Sequence, residues 1–140
     1  MAELQKAKQI AEEYINLNKD KYSRIEIVGS IRRNKPEVKD IDIVAIPKVP
    51  TDKKILKEEF KGISVEVYLT NETEYEVIKL IRTGSTEHNK KLCILAKQKG
   101  WSLKAGGKGL VNSVCGVISN TEKGILVELL GKYVEPEERK

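Results

Sequence analysis

The chain has 140 residues, of which 39% are hydrophobic and 34% are charged, a balance that fits one folded domain or two small ones sharing a core and excludes a disordered chain. Lysine and arginine outnumber aspartate and glutamate by 26 to 21, and the net charge of +5 favours a polyanionic partner. No apolar run approaches the roughly 18 residues of a membrane span, and the amino terminus lacks a signal-peptide core, so we expect a cytoplasmic protein that is neither secreted nor membrane-bound.

The first half of the chain predicts a helix followed by several strands. Apolar residues at helical spacing predict an amphipathic helix over 3–17, and alternating β-branched residues predict strands over 24–28 and 41–46. A capping residue followed by helical spacing predicts a short helix over 53–60. Strict alternation over 63–69 is typical of a strand with one buried and one solvent-facing side.

Two helices are predicted around a break in the middle of the chain. Asn71 and Glu74 resemble a capping box, so we expect a helix after them that ends at the break over 83–85. The second helix is predicted over 86–99, with the sole histidine, His88, on its polar face. Its predicted inward residues are Leu92, Ile94 and Leu95.

The end of the chain predicts strands, a glycine-rich turn and a closing helix. Strands are predicted over 101–103 and 111–119, on either side of the turn over 106–109. This turn lacks the spacing of a phosphate-binding loop, which favours a hairpin. Thr121 is predicted to cap a last helix that ends at Leu130, and a polar tail is expected after it.

Asp40 and Asp42 stand two positions apart on one predicted strand. Because side chains alternate across a strand, the two carboxylates share a face while Ile41 and Ile43 pack behind them. Like charges this close raise each other's pKa unless a cation lies between them. Hard oxygen ligands favour Mg²⁺ or Mn²⁺ over Zn²⁺. The pair therefore predicts a divalent metal site.

The residues just before this pair are suited to phosphate. Gly29 allows close backbone approach, Ser30 offers a hydroxyl, and Arg32 and Arg33 offer cationic donors. Each of these short motifs alone is as readily a turn or a patch of surface charge. Their ordered combination with the aspartate pair indicates phosphoryl or nucleotidyl transfer.

Glu66 lies on the outward face of the predicted strand over 63–69. If that strand pairs beside the strand of Asp40 and Asp42, Glu66 becomes the third carboxylate of the site. The alternative is a solvated glutamate, since exposed charges are the rule on open sheet faces. Periodicity alone leaves both interpretations open.

The order of these motifs is similar to that of a known family. The GS, RR and DxD motifs within 29–42 resemble the signature of the DNA polymerase beta-like nucleotidyltransferases, and in particular of the family X DNA polymerases. The segment TGS…NK over 83–90 and the stretch over 133–139 resemble the opening and the carboxyl end of that family's thumb subdomain. With no room for the lyase and helix-hairpin-helix subdomains of larger members, the chain resembles the smallest viral members.

The resemblance implies an α+β fold in two parts. Residues 1–82 would form a nucleotidyltransferase palm, a mixed β-sheet with helices on one face. Residues 83–140 would form a small α/β thumb subdomain. The protein is expected to act as a monomer in the cytoplasm, at the nucleoid or at a viral replication site.

The resemblance also implies a DNA-directed DNA polymerase that adds dNTPs to a primer 3′-hydroxyl on gapped or primer-template DNA, in gap filling or repair. Two Mg²⁺ ions, or Mn²⁺, would be held by the catalytic residues Asp40, Asp42 and Glu66. The implied nucleotide-binding residues are Gly29, Ser30, Arg33, Lys39, Gly84 and Asn89. The implied DNA contacts are Lys90, Lys91 and Lys97.

Departures from the family pattern keep two other functions open. Glu66 stands where the family has aspartate, and Ile81-Arg82 replaces an aromatic pair that packs against the nucleotide sugar. The missing DNA-clamping subdomains favour a template-independent nucleotidyltransferase. The changed residues favour a non-catalytic DNA-binding module, although the intact aspartate pair argues against it.

Overall fold

The computed structural model describes residues 1–140 as an α+β chain, in agreement with the predicted class. Its first elements are β1 (Ala2–Glu3), α1 (Leu4–Asn18), β2 (Tyr22–Val28), α2 (Gly29–Arg32), β3 (Glu37–Val38), β4 (Asp40–Pro47), β5 (Ile55–Phe60) and β6 (Ile63–Leu69). The others are α3 (Tyr75–Thr83), α4 (Thr86–Gln98), β7 (Ser102–Lys104), β8 (Gly109–Asn112), β9 (Gly116–Ser119) and α5 (Glu122–Leu130). None of the helices has the length and apolar character that crossing a membrane requires.

A four-stranded mixed sheet forms the centre of the first half, in the order β2-β4-β6-β5. β4 is antiparallel to β2 and parallel to β6, and β5 closes the edge antiparallel to β6. The parallel register places Asp42 opposite Glu66, and the antiparallel register places Asp42 opposite Val28. Asp42 therefore lies between the last residue of β2 and the middle of β6.

Helices cover both faces of this sheet, so the predicted arrangement with helices on one face is wrong. β4 is the reason, because apolar side chains on both of its sides are fully buried and each side needs a cover. α1 packs on the face of Ile41 and Ile43. α3 packs on the opposite face through Tyr75, against Val28 and Val44. The face that carries the aspartates is thus the face of α3.

The predicted helix over 53–60 is also wrong, because β5 occupies residues 55–60. Lys61 and Gly62 both have positive φ, at 51° and 81°, as a two-residue hairpin turn with the twist of its strands requires. The hairpin pairs Phe60 with Ile63 and continues along β6. Lysine and glutamate on β5 are compatible with an exposed edge strand, so tertiary pairing overrides their helical preference.

The second half contains a three-stranded antiparallel sheet, in the order β7-β8-β9, together with α4 and α5. These elements and α3 enclose an apolar cluster separate from that of α1. α3 contributes Val77 and Leu80 to this cluster, while its first residue, Tyr75, packs on the mixed sheet. The helix therefore connects the mixed sheet to the second apolar cluster, and the boundary between residues 82 and 83 stays a prediction.

The buried face of α4 differs from the predicted one. Its buried residues are His88, Leu92 and Ala96, spaced four apart, whereas Ile94 is 58% exposed. His88 is 3% exposed and neither ring nitrogen has a hydrogen-bond partner. Burial, with the charges of Arg139 and Lys91, lowers the pKa of His88 to about 4. The histidine is thus a neutral core residue and not part of the polar face.

α5 begins as predicted, but the end of the tail that follows it is buried in the fold. The Thr121 side chain accepts a hydrogen bond from the Gly124 amide at 3.0 Å, which caps α5. After α5 the chain runs through a short 3₁₀ helix, Pro136–Glu138, to Arg139, which is 1% exposed. The end of the predicted polar tail therefore belongs to the folded interior.

Candidate active site

The junction of β2 and α2 brings the backbone of Gly29 against Asp42. Gly29 has a φ of +68°, and a Cβ atom added there would lie 2.3 Å from Asp42 Oδ2 and 2.9 Å from its Cβ. Such distances are well inside van der Waals contact, so only glycine fits. The close backbone approach expected at Gly29 is present, and the group it approaches is the aspartate.

Asp40, Asp42 and Glu66 lie on neighbouring strands. Ile41 and Ile43 are fully buried behind the two aspartates, which share the opposite face of β4. Asp42 and Glu66 are register partners across the parallel β4–β6 pair, and paired strands lie about 4.8 Å apart. The strand pairing that would make Glu66 a third carboxylate is therefore present.

A cavity of about 340 Å³ opens over the aspartate pair. It contains both aspartates and all of the predicted nucleotide-binding residues. These lining residues are Gly29, Ser30, Arg33, Lys39, Asp40, Asp42, Gly84 and Asn89. Because Gly84 and Asn89 come from the segment that joins and opens α4, the cavity lies between the mixed sheet and the second half of the chain.

Five further residues line the cavity: Tyr68, Ile81, Arg82, Ser85 and Thr86. Among these, the sequence pointed only to Ile81 and Arg82, which replace the family's aromatic pair against the nucleotide sugar. Tyr68 could have been found, since it lies two positions after Glu66 on the same strand face. The helical spacing of residues in α3 does not predict that Arg82 lines the cavity. This residue reaches the cavity because α3 ends at this edge of the sheet.

Asp42 carries a negative charge that the protein does not neutralise. Burial raises the pKa of Asp42, and the charges of Glu66 and Asp40 raise it further, to about 6. Arg82 and Arg33 act in the opposite direction but do not outweigh this. Neither aspartate takes part in a salt bridge. A cation bound here would relieve the repulsion.

Arg33 and Asn89 each keep an unsatisfied polar atom. Arg33 donates to the carbonyl oxygen of Thr83, while its Nε is buried without a partner. Burial lowers the pKa of Arg33, against the effect of nearby Asp42. Asn89 donates to the Ile81 carbonyl at 2.9 Å, and its Oδ1 is buried without a partner. Buried polar atoms without partners are rare in folded proteins and fit a cavity that binds a polar ligand.

The Glu66 carboxylate is held outside the cavity. Its Oε2 accepts a hydrogen bond from the Tyr68 hydroxyl at 2.7 Å, and its Oε1 lies 3.9 Å from Lys57 Nζ on the adjacent β5. Glu66 consequently does not line the cavity, although its register partner Asp42 does.

The donor set fits a divalent metal ion in part. No group of three or more potential ligand side chains is arranged to hold a metal. Asp40 and Asp42 offer two hard carboxylates with an excess of negative charge, and Mg²⁺ is commonly held by one or two carboxylates plus water and substrate oxygens. The two aspartates therefore fit Mg²⁺ or Mn²⁺, whereas Glu66 acts on Asp42 by its charge but does not line the cavity that they share.

The predicted DNA-binding lysines lie away from the cavity. Lys90, Lys91 and Lys97 are exposed along α4, and none of them lines the cavity. Their side chains are accessible for contact with a polyanion, and their role in DNA binding stays a prediction.

A buried ion cluster connects the site to the end of the chain. Glu122, at the start of α5, accepts two hydrogen bonds from Arg32, at 2.6 and 2.7 Å, and one from Arg139 at 3.0 Å. Arg32 also donates to the Thr83 hydroxyl at 2.7 Å. The sequence did not identify Glu122, because no local pattern links residues 90 positions apart.

Comparison with known families identifies the second half of the chain. The family model described as DNA polymerase beta thumb matches residues 68–140, more than half of the chain. The chain therefore belongs to the DNA polymerase beta thumb family. The match includes the cavity residues Tyr68, Arg82, Gly84 and Asn89 and begins after the three carboxylates. No curated protein matches the chain.

This family assignment supports the relationship to DNA polymerase beta-like, family X proteins that the motifs indicate. The two lines of inference share the segments over 83–90 and 133–139, but the motif resemblance also uses residues that the family match does not cover. The motif resemblance began from the residues between Gly29 and Asp42, whereas the family match covers the segment after them.

Proposed function

We propose that this protein is a nucleotidyltransferase that adds dNTPs to the 3′-hydroxyl of a DNA primer. One observation carries the proposal. The uncompensated Asp40–Asp42 pair shares a cavity with Gly84 and Asn89, which lie in the segment that matches the DNA polymerase beta thumb. A catalytic charge cluster and a polymerase-family segment thus face the same space.

The proposal divides the chain into a palm over 1–82 and a thumb over 83–140. The separate apolar clusters of α1 and of α4 and α5 support this division. α3 belongs to the palm by its position in the chain, packs on the mixed sheet through Tyr75 and contributes Val77 and Leu80 to the cluster of α4 and α5. It would therefore act as the connection on which the thumb is held.

Asp40 and Asp42 would hold Mg²⁺ or Mn²⁺, and a second ion in the same site is part of the proposal. When bound, the metal would neutralise the charge that develops on the reacting phosphate and lower the pKa of the primer hydroxyl. Burial, and after it repulsion from Glu66 and Asp40, raises the pKa of Asp42 to about 6, and Mg²⁺ binding would also relieve that repulsion.

The nucleotide would bind along the cavity wall by its phosphates. Arg33 and Lys39 supply positive charge, Ser30 supplies a hydroxyl, and the α2 amides after Gly29 are further donors. The unpartnered Nε of Arg33 is a donor that a phosphate oxygen would satisfy. Gly84 and Asn89 would lie against the rest of the nucleotide.

In the reaction the primer 3′-oxygen forms a bond to the α-phosphorus of the nucleotide while the bond to the β-phosphate oxygen breaks. Pyrophosphate leaves with that electron pair. The proton of the 3′-hydroxyl passes to a carboxylate oxygen of Glu66 or to water. Exposed lysines on α4, including Lys90, Lys91 and Lys97, would contact DNA phosphates, so that binding weakens as salt rises.

The test is metal-dependent addition of each dNTP and rNTP to a duplex with a one-nucleotide gap, with Asp42→Ala beside the wild type. We expect template-matched addition that requires Mg²⁺ or Mn²⁺ and is lost in the variant. Lys123→Ala, at an exposed residue on α5 remote from the cavity, serves as the control.

The DNA-binding module is the second candidate, because Glu66 lies outside the cavity and no three-ligand group is present. Tight DNA binding without addition under any metal would establish that function and overturn ours. Equal extension of single-stranded and gapped substrates, without regard to template, would instead identify a template-independent enzyme.

A further inference from the structure

Arg82, Tyr68 and Glu66 form a continuous chain of contacts at the cavity wall. The guanidinium of Arg82 lies 4.1 Å from the centre of the Tyr68 ring, a cation–π contact. The Tyr68 hydroxyl donates to Glu66 Oε2 at 2.7 Å. Tyr68 is only 9% exposed, so packing restricts where its hydroxyl can reach. We call the hydrogen bond from Tyr68 to Glu66 the tether.

The tether acts on a carboxylate whose charge repels that of Asp42 but which does not line the cavity. Glu66 is the register partner of Asp42, yet it does not line the cavity that contains Asp40 and Asp42. Lys57, across the β5–β6 pair, lies 3.9 Å from Glu66 Oε1 and attracts the carboxylate from a second direction. Three like charges crowded together without a cation would repel one another strongly.

We propose that Tyr68 is a positioning residue that keeps Glu66 out of the aspartate pair until a divalent cation competes for it. This inference rests on the proposed function, because it requires a cation at Asp40 and Asp42. A hydroxyl donating to an ionised carboxylate makes one of the stronger hydrogen bonds in proteins. A cation that takes Oε2 of Glu66 competes with this bond, so the tether weakens cation binding. Arg82 supports the tether by holding the ring.

The protein contains a matched arrangement that lacks the aspartate pair. At the other end of α3, Arg24 lies 3.9 Å from the centre of the Tyr75 ring. The Tyr75 hydroxyl donates to Glu26 Oε1 at 2.7 Å, the same distance as in the tether. Glu26 is already paired with Lys79 at 3.0 Å. Tyr75→Phe therefore removes an equivalent hydrogen bond away from the cavity and is the control for Tyr68→Phe.

The experiment measures Mn²⁺ binding to the full chain without nucleotide, by the loss of the free Mn²⁺ signal in electron paramagnetic resonance. We expect Tyr68→Phe to bind Mn²⁺ roughly tenfold more tightly than wild type, because one hydrogen bond to a charged group no longer competes. Tyr75→Phe should bind as wild type does. In a Glu66→Gln background, Tyr68→Phe should give no gain, since the residue through which it acts is gone.

The outcomes separate the two proposals. If Asp42→Asn binds Mn²⁺ as tightly as wild type, the metal site of the proposed function is wrong, and the tether is overturned with it. If Asp42→Asn weakens binding but Tyr68→Phe gives no gain, the metal site stands and the tether alone is wrong. A gain from Tyr68→Phe that persists in the Glu66→Gln background also overturns the tether.

Discussion

Asp42 and Glu122 are two carboxylates withdrawn from water in the same molecule, with opposite surroundings. Burial alone raises the pKa of Glu122, but hydrogen bonds and charges from Arg32 and Arg139 outweigh it and lower the pKa. Burial also raises the pKa of Asp42, and there Glu66 and Asp40 add to the effect. One carboxylate is fully paired and connects distant parts of the chain. The other is left with excess charge in a cavity, which is typical of a functional site.

Two consecutive arginines show the same contrast between a paired structural residue and a residue of the cavity. Arg32 turns to the buried Glu122 and joins α2 to α5. Arg33 lines the cavity and keeps an unpartnered Nε. Arg32 therefore stabilises the fold, whereas Arg33 belongs to the cavity. The two roles differ because the two side chains point in different directions.

The largest effect is expected from Asp42→Asn on nucleotide addition. Removing this charge would take away a cation ligand, and we expect a roughly 100- to 1,000-fold loss of single-turnover rate on gapped DNA. Stability should be unchanged or increased, because the substitution removes a repelled charge. Asp52→Asn, at an exposed residue outside the cavity, should retain the wild-type rate. A rate equal to wild type in Asp42→Asn would remove Asp42 from the catalytic set.

Glu122→Ala should have the opposite effect to Asp42→Asn, because it should primarily reduce the stability of the fold. It leaves Arg32 and the fully buried side chain of Arg139 without their shared carboxylate. Breaking a buried ion pair in this way typically lowers the free energy of unfolding by about 3–5 kcal/mol. Urea unfolding measures the loss, with Glu128→Ala on the exposed face of the same helix as the control. A loss as small as that of the control would show that the cluster does not hold α5.

Gly29→Ala tests whether the close approach of the Gly29 backbone fixes the position of the Asp42 side chain. Its Cβ would lie 2.3 Å from Asp42 Oδ2, whereas a Cβ at Gly62 meets nothing within 4 Å, and both residues have positive φ. Both variants share backbone strain of about 1–2 kcal/mol. Only Gly29→Ala displaces the aspartate, so we expect a roughly 100-fold loss of rate in it alone. Equal rates in the two folded variants would contradict the steric argument.

The smallest effect is the pH dependence of stability, and its sign should differ between the two carboxylates. Burial, and then the charges of Glu66 and Asp40, raise the pKa of Asp42 from 3.8 to about 6 on folding, so the destabilisation by its ionised form is absent below about pH 4 and complete above about pH 6. Stability should fall by about 2–3 kcal/mol across this range without metal. Asp42→Asn should remove that fall when urea unfolding is measured from pH 4 to 7.

Glu122 acts in the opposite sense because its pKa is lowered from 4.5. Its stabilising effect is present above this value and is lost as the pH falls through the lower folded-state pKa. The difference between wild type and Glu122→Ala should therefore shrink on acidification below pH 4.5. A difference that grows on acidification would contradict the assigned direction.

Local patterns predicted most of the elements and the aspartate pair, whereas Lys39, Gly84 and Asn89 were expected at the site only from the family resemblance. Alternation located β4 and β6, the Thr121 cap located α5, and the spacing of Asp40 and Asp42 placed both on one face. These features depend on residues only a few positions apart, so local sequence carries them. The helix predicted over 53–60 failed because β5 is determined by its pairing with β6, which local preference does not describe.

The sequence by itself determined that two carboxylates share one face of a strand, because the side chains of a strand alternate with a two-residue period. Only the tertiary structure decided which cation meets which anion. Arg32 reaches Glu122 across 90 positions, Arg82 reaches Tyr68 at the end of α3, and Tyr68 holds Glu66 outside the cavity. These pairings depend on how α3 and α5 pack on the sheet, and packing is set by the whole chain.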